Sequence, residues 1–317
     1  MKREISVRWG WAIAVALAFP SPARANPVAI VSAVRGAVEI TPARVKKPQR
    51  AAFGQPLSRG DRVMVGRGGA ATVFFDDGNV IELSEQSSIT IGARIDKPAK
   101  AELASEVFTQ VSHFVAGGSR QSGLVALSAM RGASDASTPL IVAPRRTSLL
   151  SPRPAFVWHR VAGAQRYRAS VSSQQGEVWT REATDTMLAY PADAPELSPE
   201  SDYLWEVEAR SETASLRKES AFFHVLSAEV AQAVGASLGK IDSSLGADTP
   251  AGHYLAGSYL SARELYADAI PHFEALCRLE PDSPGPHEAL GKAYAAVGLA
   301  DRAALEFERA LALSRVP

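Results

Sequence analysis

The chain has 317 residues, 46% of them hydrophobic and 21% charged, with 34 basic and 34 acidic side chains, a globular composition with room for two or three domains. That balance argues against a phosphate-tracking nucleic-acid binder, which needs a net basic face to release counterions. The single cysteine, Cys277, excludes an intramolecular disulfide framework, so stability has to come from packing.

Residues 1–25 read as a secretory signal. Lys2, Arg3 and Arg8 precede an apolar run from Trp9 to Phe19, and Ala23-Arg24-Ala25 is a small-x-small cleavage site. Cleavage after Ala25 leaves 30 basic and 33 acidic side chains, a formal charge of −3. The apolar run falls short of the roughly 20 residues of a membrane helix, which disfavours an uncleaved anchor. A periplasmic or secreted protein is expected, with no membrane span after cleavage. Asn26, not a cysteine, directly follows the leader, so lipid attachment at a new N-terminal Cys is not expected either.

Residues 26–116 carry the densest strand and turn signals. Two apolar runs, VAIVSAV and AVEI, are separated by Arg35-Gly36; QPLSRGDRVMVGRGG follows, with paired glycines giving a tight return into TVFF. TVFF and VIEL flank Asp77-Gly78, which predicts a two-residue type I′ hairpin pairing Phe75 with Val80 and Phe74 with Ile81. That register puts apolar side chains on both faces, so both faces should be covered. Short strands at regular spacing imply an all-β sandwich, roll or barrel. Leu103, Val107, Val111 and Phe114 then share one face of a helix ended by Gly117-Gly118.

Three segments of this region resemble the FecR domain. They are Val31-Val34-Arg35-Gly36-Val38; Gly54-Leu57-Gly60-Asp61-Arg62-Val63-Val65-Gly66; and Ala70 to Leu83, completed by the S-x-I-x-I strand. The resemblance covers about 65 residues and implies an extracytoplasmic β domain that binds or senses. FecR proteins that regulate a sigma factor carry a membrane span before this domain, where this chain has a cleavable signal. The acidic residues Asp61, Asp76, Asp77, Glu82 and Glu85 invite comparison with a paired-carboxylate glycosidase site. Turn and edge chemistry explains them better.

Residues 117–138 are small, polar and glycine-rich, and read as a linker. Residues 139–226 alternate again. Tyr167, Ala169 and Val171 point one way and Arg166, Arg168 and Ser170 the other; Tyr203, Trp205, Val207 and Ala209 repeat the pattern. About seven short strands are expected, in an immunoglobulin-like sandwich. The order P-x-F-x-W, V-x-G-A-x-x-Y and Y-x-W-x-V resembles the fibronectin type III-like modules of secreted bacterial proteins. Trp158 and Trp205 fall at core positions, whereas Trp179 is an open candidate for sugar stacking.

From residue 227 to 317 the period is helical. Ser227 is an N-cap candidate for a helix striped by Val230, Val234, Leu238, Ile241 and Leu245. A 34-residue repeat then aligns His253 with His287, Gly257 with Gly291, Ala269 with Ala303 and Phe273 with Phe307, the period of the tetratricopeptide repeat. The resemblance covers about 65 residues, with histidine in both copies where the family has tryptophan. It implies binding of a peptide or protein partner, with Tyr254, Ser258, Glu288 and Lys292 facing the concave groove.

Catalytic motifs fail on context. Gly235-Ala236-Ser237-Leu238-Gly239 matches a nucleophile elbow but sits in a helical pattern, and Ser215-Leu216-Arg217-Lys218 matches S-x-x-K without partner motifs. His253 and His287 read as packing residues; no zinc ligand set, phosphate loop or cofactor signature is found. The fold class expected is therefore multidomain: an all-β FecR-like domain, a β-sandwich and an all-α repeat tail. The function expected is non-enzymatic recognition of envelope polymer or protein partners through the FecR-like and tetratricopeptide parts, with polysaccharide taken by the β domains. A periplasmic regulator linked to an outer-membrane receptor is the alternative.

Overall fold

The computed structural model describes residues 27–92, 106–115 and 140–315. The expected leader and the 117–138 linker lie outside the described residues.

The first β unit comprises β1 (Ala29–Arg35), β2 (Val38–Thr41), β3 (Gln49–Arg50), β4 (Pro56–Leu57), β5 (Arg62–Val65), β6 (Ala70–Phe75), β7 (Val80–Leu83) and β8 (Ser88–Thr90). They form two four-stranded antiparallel sheets, ordered β4-β1-β6-β7 and β3-β2-β5-β8. Val31, Leu57, Val63, Val73 and Phe75 fill the space between them.

The hairpin register differs by one residue from the sequence expectation. Phe74 pairs with Val80 and Val73 with Ile81, and the loop is three residues long, Asp76 to Gly78, closed by the Phe75 amide donating to the Asn79 carbonyl at 2.9 Å. A type I′ turn needs positive φ at both central residues. Only Gly78 supplies it, at +82°; Asp77 instead accepts hydrogen bonds from the Asn79 backbone and side chain at 3.0 and 2.9 Å. Both faces of the ribbon are nonetheless covered, since Phe75 faces the opposing sheet and Phe74 faces helix 106–115.

That helix is α1 (106–115). Val107 and Val111 on its inner face are fully buried, and Phe108 meets Phe74 with ring centroids 5.9 Å apart. Burial of each valine is worth about 1.5–3 kcal/mol.

The second β unit adds β9 (Ile141–Ala143), β10 (Thr147–Leu149), β11 (Phe156–Trp158), β12 (Arg166–Ser173), β13 (Gly176–Ala183), β14 (Met187–Leu188), β15 (Ser201–Arg210) and β16 (Ser215–Val225). A five-stranded sheet, β10-β16-β15-β12-β13, faces a three-stranded one, β14-β11-β9; all pairings are antiparallel except β10 with β16. The alternation seen in the sequence holds, with Tyr167, Ala169, Val171, Trp205 and Val207 buried between the sheets. The Tyr203 hydroxyl accepts from the Ser198 amide at 2.7 Å, the tie to an upstream loop found in immunoglobulin-type sandwiches.

The tail is all helix: α2 (Ala228–Leu245), α3 (Pro250–Ala262), α4 (Tyr266–Leu279), α5 (Pro284–Ala296) and α6 (Ala300–Ser314). Ser227 caps α2 by accepting from the Val230 amide at 3.2 Å. Of the expected α2 stripe, Val234 and Ile241 are buried and Val230 is exposed. The second pair of helices begins 34 residues after the first at both members, with proline at N1 of α3 and α5. Gly257 and Gly291 explain why the pairs close so tightly. A Cβ on Gly257 would lie 2.7 Å from Phe273, and one on Gly291 2.9 Å from Phe307.

Candidate functional site

The four residues expected to line a groove occupy equivalent places in the two helix pairs. Tyr254 and Ser258 lie one turn apart on α3, and Glu288 and Lys292 occupy the same places 34 residues later on α5. The structure fills the space in front of this face with the chain's own first β unit and α1. Tyr254 is buried, its ring 5.8 Å from that of Phe53. Its hydroxyl fits against Gly54, where a Cβ would come within 2.1 Å. Gly54 also sits at φ +71°, so that loop position requires glycine twice over. Phe53 wedges against the start of α5, where a Cβ on Gly285 would lie 2.6 Å from the Phe53 Cβ.

Alpha-helix α1 completes the filling. Phe114 stacks on Phe273 at 5.8 Å and 19°, Lys292 Nζ lies 6.0 Å from the Phe114 ring centroid, and Glu106 pairs with Arg263. The Tyr259 hydroxyl also donates to Glu106, at 3.4 Å. Burial pushes the Tyr254 hydroxyl far above the ordinary phenol range. Ser258 is fully buried as well. Of the four residues, Glu288 and Lys292 keep solvent access, with side chains 45% and 20% exposed and an ion pair of 2.7 Å between them.

The acidic residues of the first β unit organise its loops. Asp61 is 9% exposed and accepts from the Ala43 and Ser58 amides at 3.0 and 2.8 Å; Glu85 accepts from the Gly68 amide at 3.0 Å. The G-x-S-x-G run is the middle of α2, and Ser215 to Lys218 lie on β16. Trp179, the candidate for sugar stacking, is 4% exposed and meets Phe156 and Tyr190 edge-on at 5.2 and 5.9 Å. Its neighbours Val178 and Thr180 gave no sign of this, because the covering Tyr190 comes from a loop. Cys277 is half-buried; burial first, then the charge of Glu306, raises its thiol to about 12, well outside the range of a nucleophilic cysteine.

Sequence reasoning passed over one open surface. On the outer face of the five-stranded sheet, Phe222 is 65% exposed beside a depression of about 660 Å³ that also involves Arg146, Asp202, Leu204 and His224. His224 Nδ1 lies 2.9 Å from Asp202 Oδ1 across the β15–β16 pair. The signal was present in AFFHVL, whose alternation sends one phenylalanine inward and the other out.

No protein-family model matches the chain. No curated protein matches it either. Among solved structures, a cell surface anchoring domain is similar at 20% identity over 24% of this chain and 99% of that one, with a TM-score of 0.22. The fn3 domain of human collagen alpha-1(XX) chain is similar at 18% over 30% and 93%, TM-score 0.22. A multi-domain immunophilin from Arabidopsis thaliana is similar at 10% over 55% and 100%, TM-score 0.18. At such scores none of them carries an argument; the β-sandwich and the helical tail are established by the strand pairing and helix packing of the chain itself. Among the described residues no helix is long and apolar enough to cross a membrane.

Proposed function

We propose that this chain is an exported, non-enzymatic scaffold of the cell envelope, built from a FecR-like β domain, a fibronectin type III-like sandwich and a short tetratricopeptide tail. The observation that carries this reading is the shared core. Ile30 and Phe74 of the first β unit, Val107 and Val111 of α1, and Tyr254, Phe273 and Phe307 of the tail belong to one hydrophobic cluster. In this reading the repeats hold the FecR-like domain on their concave face and the sandwich presents its outer sheet to an envelope polymer. Support for the polymer comes from Phe222, an exposed ring beside paired polar side chains, a combination suited to the apolar face and hydroxyls of a sugar. Protein partners are left the rim at Glu288 and Lys292.

Co-sedimentation of the full chain with purified peptidoglycan and with other envelope polysaccharides tests the polymer. Wild-type protein is expected in the pellet, and Phe222→Ala is expected to weaken retention by about tenfold or more, the loss of one stacking contact of about 1.4 kcal/mol. Wild-type protein left wholly in the supernatant would overturn polymer binding.

A further inference from the structure

Away from the filled groove, three helices bring together the chain's one thiol, an imidazole and a carboxylate. Cys277 on α4, His287 on α5 and Glu306 on α6 place their donor atoms within 4.8 Å of one another. A pocket of about 730 Å³ opens beside them. His287 and Glu306 are 7% and 6% exposed, so neither is an incidental surface group.

The imidazole makes the argument. Its Nδ1 lies 2.6 Å from Glu306 Oε2, and its Nε2 lies 3.4 Å from the Pro281 carbonyl oxygen. Both nitrogens face acceptors. A neutral ring carries one N–H and serves only one of these acceptors, so a second proton or a metal ion at Nδ1 is what lets the ring engage both. With Nε2–H donating to the Pro281 carbonyl, the Nδ1 lone pair is left to the side where Glu306 lies at 2.6 Å and the Cys277 sulfur within 4.8 Å; a backbone carbonyl holding the far N–H is how proteins orient a metal-binding histidine. Glu306 is fixed in the same way. Its Oε1 accepts from Arg309 at 2.9 Å, which leaves Oε2 to the cluster. The pocket also holds Glu274, which accepts from the Tyr294 hydroxyl at 2.7 Å, and the cations Arg278 and Arg309.

We propose that Cys277, His287 and Glu306 form a binding site for a zinc-class divalent cation, with water as the fourth ligand. Thiolate sulfur, imidazole nitrogen and carboxylate oxygen are the donor set of such ions, at bond lengths of roughly 2.0–2.3 Å, which separate tetrahedral donors by about 3.3–3.6 Å. The present spacings, from 2.6 Å up to 4.8 Å, bracket that range. Binding of the dication releases the Cys277 thiol proton, and any proton on His287 Nδ1, to solvent. The corresponding positions one repeat earlier are Ser243, His253 and His272, where His253 Nδ1 lies 3.1 Å from His272 Nδ1. That set lacks the thiol, so the proposed site, which spans α4 of the first pair and α5 and α6 of the second, has no counterpart one repeat earlier.

Cobalt(II) titration of the untagged, chelator-stripped full chain under anaerobic conditions tests the site. Cys277 is the only cysteine, so a thiolate-to-cobalt charge-transfer band reports this position alone. The band is expected to saturate at about one equivalent and to be displaced by zinc. Cys277→Ser should lack it, and His287→Gln and Glu306→Gln should each weaken cobalt binding by at least about tenfold. Circular dichroism checks that each variant is folded, and zinc should raise the thermal midpoint of the wild type but not of Cys277→Ser. Absence of the band at excess cobalt overturns the proposal. So does a band of full strength and affinity in folded His287→Gln and Glu306→Gln, which would mean adventitious coordination by the thiol alone.

Discussion

Asp268 shows how one buried carboxyl ties stability to pH. It sits in the first turn of α4 where the tail meets the second sandwich, and burial raises its pKa from an ordinary 3.8 to about 6, with a backbone hydrogen bond from Leu150 acting the other way. The folded protein therefore keeps this proton to higher pH than the unfolded chain does. Stability from this group is greatest below the unfolded value and falls as pH rises through about 6, by about 3 kcal/mol in total. His272 works in the opposite sense, since burial and then the charge of His253 lower its pKa, and stability falls as pH drops below 6.5. Comparing Asp268→Asn with wild type cancels the histidine. Urea midpoints should show the variant more stable by about 3 kcal/mol at about pH 7.5 and equal to wild type at about pH 3; equal stability at both would show that the folded state does not penalise the charge.

At the scale of elements, α1 is the piece whose role has to be measured. Val111 is fully buried and His113, two residues on, is exposed. Val111→Ala should cost about 2 kcal/mol and speed amide exchange across α1, whereas His113→Ala should stay within about 0.5 kcal/mol. Equal exchange in the two variants would show that α1 is not held by its apolar face. The helix itself was legible from Val107, Val111 and Phe114, because a 3.6-residue period is a local property. What it packs on was not, because Phe273 lies more than 150 residues further along the chain. The hairpin shows the same division. Its strands were plain in TVFF and VIEL, but its register turned on the sign of φ at Asp77, which an aspartate can adopt either way. The repeat was legible for a better reason: Gly257 with Phe273 and Gly291 with Phe307 are reciprocal packing needs written twice at one spacing. The Cys277, His287 and Glu306 set was not legible, because its members lie on three helices at separations that match no short metal motif.

At the scale of the molecule the described residues form three cores, one of them between the sheets of the first β unit. Another runs from the first β unit through α1 into all five tail helices, and the third lies between the sheets of the second unit. Trp158, Trp179 and Trp205 all belong to the third, and the remaining tryptophans, Trp9 and Trp11, fall in the expected leader. In a chain lacking residues 1–25, tryptophan fluorescence thus reports the second sandwich, while far-ultraviolet dichroism is dominated by the tail. Two denaturation midpoints are expected from these probes; superimposable curves would show that the junction at Thr147, Glu264 and Ala267 couples the whole chain into one unit. The occupied concave face also sets a threshold for any outside ligand. A partner aimed at Tyr254 competes with a segment of the same chain, present at an effective concentration of about millimolar. At about micromolar abundance it has to bind the bare face roughly a thousandfold more tightly than the Phe53–Gly54 loop and α1 do before exchange favours it. The helical repeats are thereby insulated from weak competitors and answer only to a strong one.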